Sequence, residues 1–286
     1  MHALPTPPHP ILRPFAAVQA VLLLAALTAL IVQPPAALPL WVATWLTAAW
    51  ALWALLRGRI GMLLALVVQC GALATVTSAT GLLHWHWLFK PLTMVFAIVL
   101  VAYSAHPQSA KGTFDSKSWW LLGTALVGSL AGDAFLMVEG FFIPGLVSFL
   151  LAHVAYIVLF RQGVAWFPRP LALVATLGVG GAMYAFLWQG GLPVELRIPV
   201  AVYVTVIALM AAQAIGRAAV LGDRTARQVA LGACFFMLSD SLLATNRFVQ
   251  PLPLAQVGVL ATYYAAQAFI VHGMVVGLRR PQNTFV

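Results

Sequence analysis

WWLLGTALVGSLAGDAFLMV, residues 119–138, is a run of twenty residues that carries one charge, Asp133. A helix of about 20 apolar residues matches the hydrocarbon thickness of a bilayer. Runs of this kind recur along the whole chain, in which 63% of 286 residues are apolar and only 7% are charged. Transmembrane barrels use short segments of alternating polarity, whereas these runs are continuous. The chain therefore reads as an all-α, polytopic transmembrane helical bundle.

Charges, prolines and glycines divide the sequence into about ten spans, near 15–33, 38–56, 60–79, 90–105, 118–138, 141–160, 170–189, 196–216, 227–247 and 254–278. The first is read as a true span and not a cleaved leader, because its apolar part is long and no small-x-small cleavage site follows it. The Pro-rich start, MHALPTPPHP, belongs to a disordered tail over 1–14, and 281–286 form a short C-terminal tail. Cys70 and Cys234 lie within apolar spans and read as small packed side chains.

The basic residues test this division. With a cytoplasmic N-terminus, all but Lys90, Arg197 and Arg247 of the 15 Lys and Arg fall on the cytoplasmic side, which is the positive-inside pattern. The net charge of +9 then reports topology and contact with anionic membrane lipid, and nucleic acid is not an expected partner. Both termini are expected in the cytoplasm, and the expected location is a bacterial inner membrane.

Only six acids are present. Asp115 and Asp223 read as solvated loop charges, and Glu139 and Glu195 as residues at far-side helix ends, of which Glu139 is also a candidate for binding the substrate or supporting the site. Asp133 and Asp240 lie inside spans, displaced toward the far side. An ionisable group there costs at least about 2.5–3.5 kcal/mol to insert, so both are expected to face a protein or water interior and are functional candidates. Other polar residues gather at the same depth. Lys90 reads as opening a helix in FKPLTM, with Pro91 in the first turn; a cation there opposes the helix dipole and needs an anionic partner. His153 and Tyr156 share a helix face. Tyr263, Tyr264 and Gln267 cluster in TYYAAQ, and Ser239, Asn246 and Arg247 flank Asp240.

KPLTM, GDAFLM, GLVSFLLAHVAYIVLF, YVTVIALMAAQA, LGACFFMLSDSLLATNRF and TYYAAQ, in that order, resemble the motifs of the YhhN-like membrane family that includes lysoplasmalogenases. The resemblance covers roughly 60–278. It implies an eight-helix catalytic core over 58–280, with the two spans of 15–57 as an N-terminal extension. It also implies hydrolysis of the vinyl ether of lysoplasmalogens to a fatty aldehyde and a glycerophospho-alcohol, with Asp133 and Asp240 as the leading catalytic residues and a lysophospholipid as the substrate.

The chemistry of a vinyl ether agrees with that implication. Its hydrolysis protonates the β-carbon, adds water to an oxocarbenium ion and collapses a hemiacetal. Two carboxyl groups suffice, one protonated as donor and one ionised, as in glycoside hydrolysis. Asp240 is preferred as the donor, because Lys90 lies in the span next to that of Asp133. Lys90 or Arg247 is available for the substrate phosphate, and His153, Tyr156, Tyr263 and Gln267 for orienting the acids or the glycerol hydroxyl. The mechanism requires no cofactor and no metal, and the histidines lack metal-ligand spacing. The alternative is a proton-coupled or lipid transporter that uses the same Asp, Lys and His as a relay, although the two halves show no repeat. The active site is expected toward the outer leaflet.

Overall fold

In hydrocarbon every backbone group must be satisfied within its own segment, which leaves helices as the open-ended solution. The structure, a computed structural model, describes residues 58–105 and 115–279. Among these residues it contains eight helices long and apolar enough to cross a membrane: α1 (Arg59–Ala79), α2 (Leu83–Ser104), α3 (Ser116–Leu136), α4 (Phe142–Phe160), α5 (Pro170–Gln189), α6 (Val194–Leu221), α7 (Arg224–Phe248) and α8 (Ala255–Leu278). The all-helical expectation holds. The two expected spans before residue 58 lie outside the described residues.

Sequence punctuation sets the helix ends. Asp115 and Asp223, expected as solvated loop charges, are N-caps whose carboxylates accept from the Ser118 and Ala226 backbone N–H groups at 3.3 and 2.9 Å. Pro170 sits in the first turn of α5, and Gly222 (φ 67°) ends α6 in the left-handed conformation that a glycine adopts without strain. One boundary departs from expectation. α2 begins at Leu83, so Lys90 and Pro91 stand two turns inside the helix and not at its start. The amphipathic segment HWHW continues the helix outward, and Pro91 leaves the Trp87 carbonyl without an intrahelical donor.

The helices close a ring in the order α1, α2, α3, α4, α6, α7, α8, with α8 returning to α1. α5 stands outside it, packed on α6 and touching α7; of its twenty residues only Thr176, Gly180 and Leu187 are buried. Small residues permit the closest approaches, as expected where lipid offers no hydrophobic drive. A Cβ on Gly232 would come within 2.8 Å of the Ala266 carbonyl oxygen, so α7 and α8 meet backbone to backbone. Both cysteines are free; Cys70 is buried as expected, whereas Cys234 is exposed on the outer surface.

Candidate active site

Eight helices that alternate in direction along the chain put the C-terminal ends of α1, α3, α5 and α7 at the same end of the bundle as the N-terminal ends of α2, α4, α6 and α8. A cavity of about 470 Å³ opens at that end of the bundle. Arg59, Arg161, Arg169, Arg217, Arg224, Arg227 and Arg279 lie at the opposite end. Asp133, Asp240, Lys90, Tyr263, Ser239, Asn246 and Arg247 all line the cavity.

Asp133 is 2% exposed and Lys90 8%. Lys90 Nζ lies 3.4 Å from Asp133 Oδ1, so the cation that needed an anionic partner has one from the neighbouring helix. The Tyr263 hydroxyl donates to Asp133 Oδ2 at 2.7 Å. Behind it, Gln267 Nε2 donates to the Tyr263 oxygen at 3.5 Å, and the Tyr156 hydroxyl donates to Gln267 Oε1 at 2.8 Å. Tyr156 and Gln267 thus brace Asp133 from outside the cavity. The glycine of the GD pair has a spatial cause: a Cβ on Gly132 would lie 2.5 Å from the Phe149 ring, and that ring packs edge-on against Tyr263 at 5.9 Å.

Asp240 has a different environment. The Tyr203 hydroxyl of α6 donates to its Oδ2, and among the described residues no cation stands within ion-pairing distance of it. One carboxyl is therefore held by a cation and a hydroxyl, the other by a hydroxyl alone, and both border one cavity.

The remaining sequence candidates are placed as follows. Ser239 donates to the Val259 carbonyl at 2.9 Å, tying α7 to α8. Asn246 Oδ1 accepts from the Leu252 N–H at 2.9 Å and fastens the α7–α8 loop. The guanidinium of Arg247, exposed at the cavity mouth, lies 4.1 Å from the Phe142 ring centroid. His153 is fully buried behind the cavity, its ring 5.3 Å from Tyr203 and 4.7 Å from Phe236, with neither nitrogen hydrogen bonded. Tyr264 turns away and packs against Gly71 of α1. Glu139 is exposed in the turn between α3 and α4 and does not border the cavity.

Tyr203 and His86, both on the cavity wall, escaped sequence reasoning. Tyr203 lies within YVTVIALMAAQA, but nothing in one sequence says that it faces α7. His86 lines the cavity and places Nδ1 2.9 Å from the Ala74 carbonyl oxygen; a helix start read at Lys90 had put it in a junction. Among the described residues no three His, Cys, Asp or Glu side chains gather as metal ligands would.

The YhhN family model matches residues 85–274. Lysoplasmalogenase TMEM86B of Homo sapiens is 35% identical over 150 residues, covering 52% of this chain and 61% of the relative. Lysoplasmalogenase TMEM86A of Homo sapiens is 33% identical over 174 residues, 58% of this chain and 65% of the relative. A lysoplasmalogenase of Mycobacterium bovis is 29% identical over 207 residues, 69% of this chain and 75% of the relative. The chain thus spans about three fifths of the length of the first of these curated relatives. No solved structure matches.

Proposed function

The chain belongs to the YhhN family, and from that premise we propose that it is an integral-membrane hydrolase cleaving the vinyl ether of lysoplasmalogens, with the unit over 58–280 as its catalytic core. The observation that carries the reading is the pair of carboxyls in unlike surroundings on one cavity wall. Asp133, beside Lys90, is the ionised member; Asp240, with no cation near it, is the proton donor.

Asp240 gives its proton to the β-carbon of the vinyl ether, where the double-bond electron pair forms the new C–H bond. The ether oxygen then shares the positive charge as an oxocarbenium ion, which the Asp133 carboxylate stabilises. Water adds to the α-carbon as Asp133 takes its proton. On collapse of the hemiacetal, its hydroxyl proton restores Asp240, and the glycerol oxygen leaves with the proton from Asp133. Aldehyde and glycerophospho-alcohol are released and both acids return to their starting state. Arg247 at the mouth takes the phosphate, since Lys90 is already paired.

The test is aldehyde release from a lysoplasmalogen by protein purified in detergent, where no gradient exists to drive transport. Asp133→Asn and Asp240→Asn should each abolish it. The donor must be loaded, so the wild-type rate falls as pH rises through the donor's titration. No aldehyde from a well-folded wild type, or full activity in either variant, refutes the proposal.

A further inference from the structure

Resting on the hydrolase reading above, we propose that the single hydrocarbon chain of the substrate leaves the reaction centre along Met183 and Gly180 of α5 and reaches the bilayer through the seam between α5 and α6.

A helix outside the ring has no reason to border a cavity that the ring encloses. Yet Gly180, Met183 and Leu187 of α5 line the same cavity as Asp133 and Asp240. The space around the carboxyls therefore continues between α6 and α7 to the inner face of α5. On that side the lining is Gly180, Met183, Leu187, Val204, Ile207 and Met237, with no charged side chain among them. The charged groups sit elsewhere, Lys90 and Asp133 on α2 and α3 and Arg247 at the mouth. For a lipid with its phosphate at Arg247 and its ether at the carboxyls, the side toward α5 offers the chain an uncharged path that continues past the ring.

This arm leads out of the protein. A second cavity of about 140 Å³ lies on the outer side of the same seam, and Gly180 and Val204 border both. The partition is thin. A Cβ added to Gly180 would lie 3.1 Å from Val204 Cγ1 and 3.3 Å from Ala208 Cβ, so α5 and α6 touch there across a bare glycine and the Val204 side chain is what stands between the two cavities. Outward of it, α5 turns Val174 and Leu177 to the surrounding hydrocarbon. The main cavity is of the size that holds a drug-like molecule and is too small for a headgroup together with a long chain, so the chain's far end belongs in the membrane. One arm admits one chain, which selects single-chain lipids over two-chain lipids.

Gly180→Leu should block the seam, and Met183→Phe should narrow the arm without touching the contact between Gly180 and Val204. Aldehyde release is measured with short-chain and long-chain alkenyl lysolipids. Losing the burial of one or two methylenes predicts a KM for the long-chain substrate raised about tenfold, with kcat for both substrates and KM for the short one unchanged. Equal effects on both chain lengths, or none on either, in variants that elute as the wild type does, overturn the proposal. If Gly180→Leu does not fold, Met183→Phe carries the test. Displacement of a fluorescent lysophosphatidylcholine separates the two readings. Chain-length-dependent binding without any aldehyde would sink the hydrolase and keep the arm; aldehyde release without chain-length discrimination in the variants would do the reverse.

Discussion

Removing Lys90 should destabilise the fold by more than the ion pair contributes to it. At 3.4 Å two unit charges attract by about 5 kcal/mol at an effective dielectric constant of 20. Burying each ion costs several kcal/mol, so the intact pair is close to neutral for stability. In Lys90→Met the attraction is lost while the Asp133 carboxylate stays buried, and the expected loss is about 3–5 kcal/mol. In Lys90→Met/Asp133→Leu no buried charge remains; what is left is mainly the Tyr263 hydroxyl without its acceptor, about 1–3 kcal/mol. The double variant should thus be more stable than Lys90→Met alone. Unfolding by SDS in mixed micelles, followed across wild type, both single variants and the double variant, measures the coupling directly. Losses that add within about 0.5 kcal/mol would mean that water solvates both groups and that Asp133 is not held by Lys90.

Tyr203→Phe removes the hydroxyl that donates to Asp240; as Asp240 gives up its proton that bond becomes one to a carboxylate, worth about 1.5–3 kcal/mol, so kcat should fall roughly tenfold to a hundredfold with KM little changed, and an unchanged kcat would separate Tyr203 from the chemistry. Arg247→Gln should raise KM about tenfold for a phosphate-bearing lysolipid and leave kcat intact, a split that steady-state kinetics reads directly. Gly232→Ala brings a methyl within 2.8 Å of the Ala266 carbonyl oxygen and should destabilise the α7–α8 pair by about 1–3 kcal/mol in the same SDS titration, while Gly123→Ala, where nothing lies within 4 Å, should be near neutral.

The contrast between Asp133 and Asp240 shows how far one sequence reaches into a membrane protein. That Lys90 needs an anionic partner was legible because an intramembrane charge without one is too costly to keep; that the partner is Asp133, and not Asp240 or a ligand phosphate, is what the structure adds. The basic residues named at the opposite end of the bundle likewise agree with the sequence expectation that the acids lie at the end poor in charge. The start of α2 was not legible. KP resembles a helix beginning, and the aromatic turns before it have the composition of an interface belt whether they are helical or not.

Which helices meet was hidden for a different reason. In a water-soluble bundle the apolar stripe of each helix points to the core, but here lipid is as apolar as the interior, so α5 and α4 look alike in composition although α5 buries only three of its twenty residues and α4 is walled into the ring. With no stripe to read, nothing in the sequence ties Tyr203 to Asp240 across α6 and α7, and nothing there announces that α5 stands outside. Only the close approaches leave a trace, as glycines at Gly132, Gly180 and Gly232 where a Cβ would meet Phe149, Val204 and the Ala266 carbonyl oxygen. Those same positions wall the acid pair, the proposed chain arm and the α7–α8 contact. In this fold small residues mark the site at least as well as charged ones, because hydrocarbon solvent erases the amphipathic signal but leaves the steric one.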